Sequence, residues 1–354
     1  MEQSDTVDNI YMRRCLQLAA LGNGHVSPNP MVGAVIVYKG EIIGEGYHRK
    51  CGEAHAEVNA INSVKDKSLL KDSVIYVSLE PCSHYGKTPP CSKLIIDVGI
   101  PYVVVGILDP FPEVAGRGIK MLRDAGIKVK VGVLENECRA LNKRFITSQL
   151  FRRPYVILKW AQSADSYIDR IRSESEQAAV FSDAVTSALV HKLRAENDAI
   201  LVGTRTALLD NPTLTVRKWT GKNPLRVVID RRGILPETLQ LFTGGNPTLV
   251  FSECKKRVNY KNDIVKIKCG DFSIQRILSE LNRMKIQSLI VEGGNIMLNA
   301  FIESGLWDEC HIEIAPDMLG EGVPAPEFPG VLRYIRSYGN KKIFIFINPD
   351  NDFF

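Results

Sequence analysis

The sequence predicts an α/β protein of two domains, residues 1–150 and 151–354, and three observations carry that expectation. Short apolar runs of strand length alternate with helical patterns, which places helices on both faces of a mainly parallel sheet. The alternation breaks at a basic, proline-containing junction, Arg152-Arg153-Pro154, and starts afresh at Tyr155. The length of 354 residues is sufficient for two separate cores.

In the first half, Tyr11, Cys15 and Leu18 lie at helical spacing with Met12, Leu16 and Ala19 beside them, and Gly22 is a stop signal. Ser27-Pro28-Asn29-Pro30 is a loop. Residues 31–38 and 41–47 read as a hairpin turning at Lys39-Gly40. A helix opens in Glu53-Ala54-His55-Ala56-Glu57, a strand runs over 74–79 into Pro81-Cys82, and Cys91 begins the next helix, which ends at Val98. An apolar strand over 102–108, a helix over 116–125 and a strand over 127–133 complete an α/β/α layer. Residues 134–150 read as one closing helix.

The second half repeats the style without repeating the sequence. Strands are expected at 155–160, 198–203, 225–229, 248–251, 264–267 and 288–291. Helices are expected through Val190 and Leu193, over 272–284, and after Glu292-Gly293-Gly294. The tail Asn348-Pro349-Asp350-Asn351-Asp352 is polar and is expected to fray.

Composition excludes several classes of function. Charged residues make up 24% and hydrophobic ones 45%, as in ordinary soluble domains. A net charge of +5 without a dense Lys/Arg stripe suits small anionic ligands and argues against nucleic acid as a partner. Met31 to Val37 is strand-sized, and no run approaches membrane-spanning length. The first ten residues lack a signal-peptide pattern, and the eight cysteines lack framework spacing, so a cytoplasmic location is expected.

The most informative stretch is His55-Ala56-Glu57 read with Pro81-Cys82 and Pro90-Cys91. An imidazole and two thiolates can hold Zn²⁺ and leave one coordination position for water, whose pKa the metal lowers towards ~7. Glu57 would bind no metal; it would take a proton from water and pass it to a departing amine. His-x-Glu followed by Pro-Cys-x-x-Cys is the known signature of zinc base deaminases, and here the gap between the cysteines is longer. Taken singly these residues are unremarkable, because His-x-Glu is common and loop cysteines are more often buried thiols. Two helix starts and one strand end can nevertheless bring all three ligands to one point. In the second half, Glu292-Gly293-Gly294-Asn295 between a strand and a helix would let backbone N–H groups approach a phosphate, although Gly-Gly there is more often a plain turn. Arg194, Arg205 and Arg217 could clamp phosphate, against the commoner role of solvated surface charges.

Longer motifs make the chain resemble the bifunctional riboflavin-biosynthesis deaminase/reductase family. They are Pro28-Asn29-Pro30-Met31-Val32-Gly33, Gly44-Glu45-Gly46-Tyr47-His48, His55-Ala56-Glu57, and Leu79-Glu80-Pro81-Cys82-Ser83-His84 through Cys91. Asp109-Pro110, Val114-Ala115-Gly116-Arg117-Gly118, Asn197 to Gly203, Asp210-Asn211-Pro212, Leu214-Thr215-Val216-Arg217 and Val291-Glu292-Gly293-Gly294 continue the match. The resemblance implies a cytidine-deaminase-like zinc domain followed by a dihydrofolate-reductase-like domain that uses NADPH. It implies hydrolytic deamination of 2,5-diamino-6-(5-phosphoribosylamino)pyrimidin-4(3H)-one, then reduction of the product's ribosyl chain to ribityl. It assigns His55, Cys82 and Cys91 to zinc and Glu57 to proton transfer. Asn29, His48, His84, Lys87, Arg194, Leu214, Arg217 and Glu292 fall at substrate positions, and Lys159, Gln162, Val180, Thr206, Asp210 and Gly294 at coenzyme positions. The family habit also suggests a homo-oligomer.

Three departures fall in the reductase half. Ser163-Ala164-Asp165-Ser166 stands where the family has Ser-x-Asp-Gly, and a glycine held at positive φ would make Ser166 strained. Residues 172–182 lack the family's glycines and its tryptophan. Asn211 replaces the second acid of an Asp-Asp-Pro variant. An active deaminase with an impaired reductase is therefore one alternative; a zinc deaminase of another nucleoside or tRNA base, or a structural-zinc interaction module, are others. The long insert and appended domain argue against the tRNA enzyme, and an intact Glu57 argues against the structural site, which needs four protein ligands.

Overall fold

A computed structural model describes residues 7–85, 89–111, 115–173, 176–253, 264–266 and 272–351. Gly86-Lys87-Thr88, Val114, Glu174-Ser175, Ile267 and Asp352, which carry some of the expectations above, lie outside them. The chain divides into two units between Arg152 and Arg153. Among the described residues no helix is long and apolar enough to cross a membrane.

The first unit is built on strands β1 (Gly33–Tyr38), β2 (Glu41–Tyr47), β3 (Val74–Leu79), β4 (Tyr102–Ile107) and β5 (Lys128–Val131). Their order is β2-β1-β3-β4-β5; β1 runs antiparallel to both neighbours, and β3, β4 and β5 are parallel. β3 and β4 are almost wholly buried, as parallel strands covered on both faces must be. The helices are α1 (Val7–Ala20), α2 (Ala56–Ser63), α3 (Cys91–Val98), α4 (Arg117–Asp124), α5 (Glu135–Leu141) and α6 (Lys143–Phe151). α2 lies directly on β2, and a Cβ on Gly46 would fall 2.3 Å from Ala60 N. That close approach fixes where α2, and with it His55, begins.

The single helix expected over 134–150 is two. The break is Asn142, whose carboxamide accepts from Met31 N–H at 2.8 Å and donates to Met31 O at 2.9 Å. This side chain serves the backbone of a loop 111 residues away, a constraint no local pattern reveals.

The second unit contains β6 (Tyr155–Gln162), β7 (Tyr167–Asp169), α7 (Ala184–Ala195), β8 (Ala199–Gly203), α8 (Thr204–Asp210), β9 (Leu225–Ile229), β10 (Thr248–Ser252) and β11 (Ile264–Lys266). It continues with α9 (Ile274–Arg283), β12 (Ser288–Val291), α10 (Asn295–Glu303), β13 (Glu309–Ile314), β14 (Val323–Pro324), β15 (Val331–Tyr338) and β16 (Lys341–Ile347). The large sheet has the order β11-β10-β9-β8-β12-β6-β13-β16-β15. The strands from β11 to β13 are parallel, and β16 and β15 add an antiparallel margin. β7 and β14 pair separately.

A buried ion pair ties the start of this unit to the residue that precedes β13. Arg153 grips Asp308 through two bonds of 2.6 and 2.7 Å, and Asp308 also accepts from Val156 N–H at 2.7 Å. The tail is anchored where fraying was expected. Asn348 is only 2% exposed, and both Asn348 and Asn351 donate to Gly305 O and Trp307 O. Two carboxamides thus satisfy carbonyls that the turn after α10 leaves open.

Candidate active sites

In the first unit three elements converge as their ends require. His55 is the residue preceding α2, Cys82 follows the end of β3, and Cys91 opens α3. His55 Nδ1 lies 3.6 Å from Cys82 Sγ and 3.4 Å from Cys91 Sγ, and the three ligand atoms sit within 4.8 Å of one another. With metal–nitrogen and metal–sulfur bonds of about 2.0 and 2.3 Å, tetrahedral angles place such atoms about 3.6 Å apart. The donor set and its spacing therefore fit a zinc ion.

Cys82 is held from α3. Cys91 N–H points at its sulfur at 3.3 Å, and Ser92 binds its carbonyl through both N–H (3.2 Å) and hydroxyl (2.6 Å). Hydrogen bonding from Cys91, outweighing burial and joined by His55, brings the Cys82 thiol down to about 4. The proton kept between the sulfurs raises Cys91, and the Cys82 sulfur raises His55. Glu57 is 3% exposed on the first turn of α2; burial, then the Cys82 sulfur, pushes its carboxyl up to about 7. A carboxyl poised there can both take and return a proton near neutrality.

His48 and Asn29 form a pair beside these ligands. The His48 ring meets the His55 ring edge-on, with centroids 5.5 Å apart. His48 Nδ1 is 3.1 Å from Ala54 O, an acceptor only, so the proton sits on Nδ1. Nε2 then accepts from the Asn29 amide at 3.0 Å, which leaves the Asn29 oxygen to act as an acceptor. Burial, the largest effect, holds His48 below its ordinary pKa and keeps this tautomer neutral. His84 is exposed, and Lys87 lies outside the described residues.

One residue that the sequence reading passed over organises the far side. Glu80, between β3 and Pro81-Cys82, accepts from four backbone N–H groups: Asp109 (3.0 Å), Gly116 (2.9 Å), Gly118 (2.8 Å) and Ile119 (3.2 Å). Its carboxylate caps α4, whose own N-cap, Gly116, has no side chain to do so. A Cβ on Gly118 would lie 2.1 Å from Pro81 O, so only glycine lets α4 approach the ligand loop. The sequence signal was an acid wedged between an apolar strand and the Pro-Cys pair.

The second unit holds a cleft of about 710 Å³ at the carboxyl ends of β6, β8, β9 and β12. This is where parallel α/β sheets bind ligands, at the point where successive connections leave in opposite directions. Lys159, Val180, Thr206, Asp210, Glu292 and Gly294 all line it. Thr206 Oγ1 accepts from Gly294 N–H at 2.9 Å, tying α8 to the start of α10. Arg194 reaches this wall by its 2.7 Å bond to Glu292. Burial works to raise Glu292, but Arg194 and Lys159 outweigh it and hold the carboxyl below its usual range.

Other expected residues stand elsewhere. Leu214 is buried in an apolar cluster with Ile200 and Val202, and Gln162 accepts from the Trp160 indole at 2.7 Å. Arg217 is exposed and outside the cleft lining. The departures from the family pattern have physical consequences. Ser166 has φ +64°, a left-handed conformation that favours glycine. Arg172 is almost buried and bridges Asp169 (2.6 Å) and Asp210, so Asp210 enters the cleft already paired. Val180 is 83% exposed at the cleft.

Comparison with known proteins finds matches along both units. Residues 5–107 match the model of the cytidine and deoxycytidylate deaminase zinc-binding region, and residues 154–337 match the RibD C-terminal domain. The riboflavin biosynthesis protein RibD of Aquifex aeolicus is 40% identical over 90% of this chain and 89% of its own length. The solved RibD of Acinetobacter baumannii superposes with a TM-score of 0.88 at 30% identity, covering 96% of this chain and 98% of that one. A diaminohydroxyphosphoribosylaminopyrimidine deaminase/5-amino-6-(5-phosphoribosylamino)uracil reductase from Thermotoga maritima gives 0.86 at 34%, covering 97% and 99%. With two matched domains in the family's order and identity sustained along nine-tenths of its length, the chain belongs to the RibD family of riboflavin-biosynthesis proteins.

Proposed function

We propose that the chain carries out two consecutive steps of riboflavin biosynthesis. Its first unit deaminates 2,5-diamino-6-(5-phosphoribosylamino)pyrimidin-4(3H)-one, and its second reduces the ribosyl chain of 5-amino-6-(5-phosphoribosylamino)uracil to ribityl with NADPH. The observation that carries the reading is the cluster of His55, Cys82 and Cys91 with the buried Glu57 beside it. His55, Cys82 and Cys91 are the residues that would hold zinc, which when bound supplies a Lewis acid that lowers the pKa of water. Glu57 takes a proton from the attacking water and returns it to the ring amine. A carbon–oxygen bond forms, the carbon–nitrogen bond breaks and ammonia leaves. His48 orients Asn29 so that its oxygen meets an N–H of the pyrimidine edge. His84 and Lys87 serve the rest of the substrate, Lys87 suiting its phosphate.

In the second unit the cleft is assigned to NADPH, with Lys159, Val180, Thr206, Asp210 and Gly294 against the coenzyme. Arg194, Leu214, Arg217 and Glu292 are assigned to the substrate, and Gln162, at the end of β6, to the coenzyme side. Reduction adds a hydride at C1′ and a proton at the sugar oxygen released there, and it depends chiefly on positioning. A weakened reductase is a second reading, favoured by the Arg172–Asp210 pair, which leaves Asp210 less free to accept from a ribose hydroxyl. Titration of the protein with NADPH, followed by nicotinamide fluorescence, separates the two. Micromolar binding supports the full pair of activities, and absent binding supports the second reading.

A further inference from the structure

We propose that His191 is a positioning residue for the reductase, fixing the backbone of Arg217 so that its guanidinium meets the substrate phosphate. The inference rests on the assignment of Arg217 to that phosphate. Residues 215–217 belong to no strand, so no sheet ladder pairs their backbone groups. Side chains do so at three successive residues. Arg194 Nη1 donates to Thr215 O at 3.4 Å, Asn223 Oδ1 accepts from Val216 N–H at 2.8 Å, and His191 Nδ1 accepts from Arg217 N–H at 2.9 Å. A surface loop would ordinarily leave such backbone groups to water. Here the chain commits three side chains from two directions to hold them.

The segment so held ends in an unencumbered cation. The Arg217 side chain is exposed, makes no ion pair among the described residues, and bonds only to Thr215 Oγ1 in its own loop, at 3.0 Å. Its reach is therefore set by its backbone. His191, 4% exposed on α7, is the group that sets it. Because Nδ1 accepts, a neutral ring carries its proton on Nε2. Burial, then the nearby Arg194, Arg217 and Lys218, favours that neutral ring, with Glu292 opposing. A protonated Nδ1 would lose the Arg217 bond and add a further positive charge beside three others. Holding a phosphate ligand in advance lowers the entropy lost on binding, so the benefit falls on affinity for substrate rather than on turnover.

Two substitutions separate the ring's nitrogens. In His191→Asn the amide oxygen takes the place of Nδ1; in His191→Gln the amide reaches the place of Nε2 and leaves that of Nδ1 empty. Steady-state NADPH oxidation with 5-amino-6-(5-phosphoribosylamino)uracil is measured for both, for Arg217→Ala and for the parent chain. Arg217→Ala is expected to raise KM more than about tenfold, as loss of a charge-assisted contact does. His191→Gln is expected to raise KM about fivefold with kcat within about twofold, the scale of one hydrogen bond, while His191→Asn stays near the parent. Loss in Asn with retention in Gln would place the function on Nε2 and overturn the inference, as would equal behaviour of the two variants. An unchanged KM in Arg217→Ala would instead remove the phosphate assignment itself. A long-range ¹H–¹⁵N correlation on the unsubstituted protein needs no variant to fold: an unprotonated Nδ1 with a protonated Nε2 is expected, and the opposite tautomer overturns the proposal.

Discussion

Replacing Glu80, a buried acid, should strongly destabilise the first unit. Its carboxylate is the common acceptor for four N–H groups, two of them buried at the start of α4 (Gly118 and Ile119) and two part-buried (Asp109 and Gly116). In Glu80→Ala the buried pair is orphaned at about 1–3 kcal/mol each, and water reaches the other two at about 0.5–1 kcal/mol each. The sum, about 3–8 kcal/mol, is a large part of a domain's stability. Glu80→Gln keeps one oxygen but turns an NH₂ towards two donors, so it should cost about half as much. For a unit of this size a loss of 1 kcal/mol lowers Tm by roughly 2–4 °C, which gives a fall of at least about 6 °C and up to about 30 °C for the alanine variant. Because Cys82 lies two residues on, zinc retention should fall in parallel. Differential scanning calorimetry with metal analysis reads both. A Tm within about 2 °C of the parent would show that α4 is capped by other means and refute the argument.

Other expectations are as direct. Glu57→Gln should lower deamination by about 10²–10⁴ while zinc content stays stoichiometric, measured by ammonia release and elemental analysis. Asp308→Ala leaves Arg153 buried without its partner and should destabilise the second unit by about 3–5 kcal/mol in denaturant unfolding. Ser166→Gly should raise stability by about 0.5–1 kcal/mol, since relief of the left-handed backbone exceeds the added freedom of the unfolded chain. Asp165 is held down to about 2 by Ser163 and by the N–H groups of Leu319 and Gly320. The native state therefore binds fewer protons there than the unfolded chain, whose carboxyl titrates near the ordinary 3.8. Its contribution is present above pH ~4 and lost as pH falls through about 2. The stability difference between the parent and Asp165→Asn should shrink over that window, and a constant difference would contradict it.

What could be read from the sequence was whatever has a local period or a local chemical pattern. Val74 to Leu79 and Tyr102 to Ile107 are continuous apolar runs because both faces of a parallel strand are buried, and their bounds emerge within a residue. His55, Cys82 and Cys91 were legible because a metal site restricts residue types severely. The features missed depend on distant partners. Asn142 interrupts a helix to serve Met31, Glu80 serves a loop some thirty residues away, and Arg172 meets Asp210 across the cleft. β15 was unread because it is exposed along almost all its length and carries Arg333 and Arg336, whereas the apolar run Ile343 to Ile347 of β16 was a strand signal that was overlooked. Asn348 looked like a solvated tail residue until its partners, Gly305 and Trp307, were in view.

The central claim is that one chain couples a zinc-dependent deamination to an NADPH-dependent reduction. A mass-spectrometric time course on zinc-loaded protein, supplied with the diaminopyrimidinone ribosyl phosphate with and without NADPH, tests it most directly. Exchange of an amine for oxygen without coenzyme, followed by gain of two hydrogens only when NADPH is added, is the predicted result. Failure of the exchange in zinc-loaded protein would contradict the account at its core.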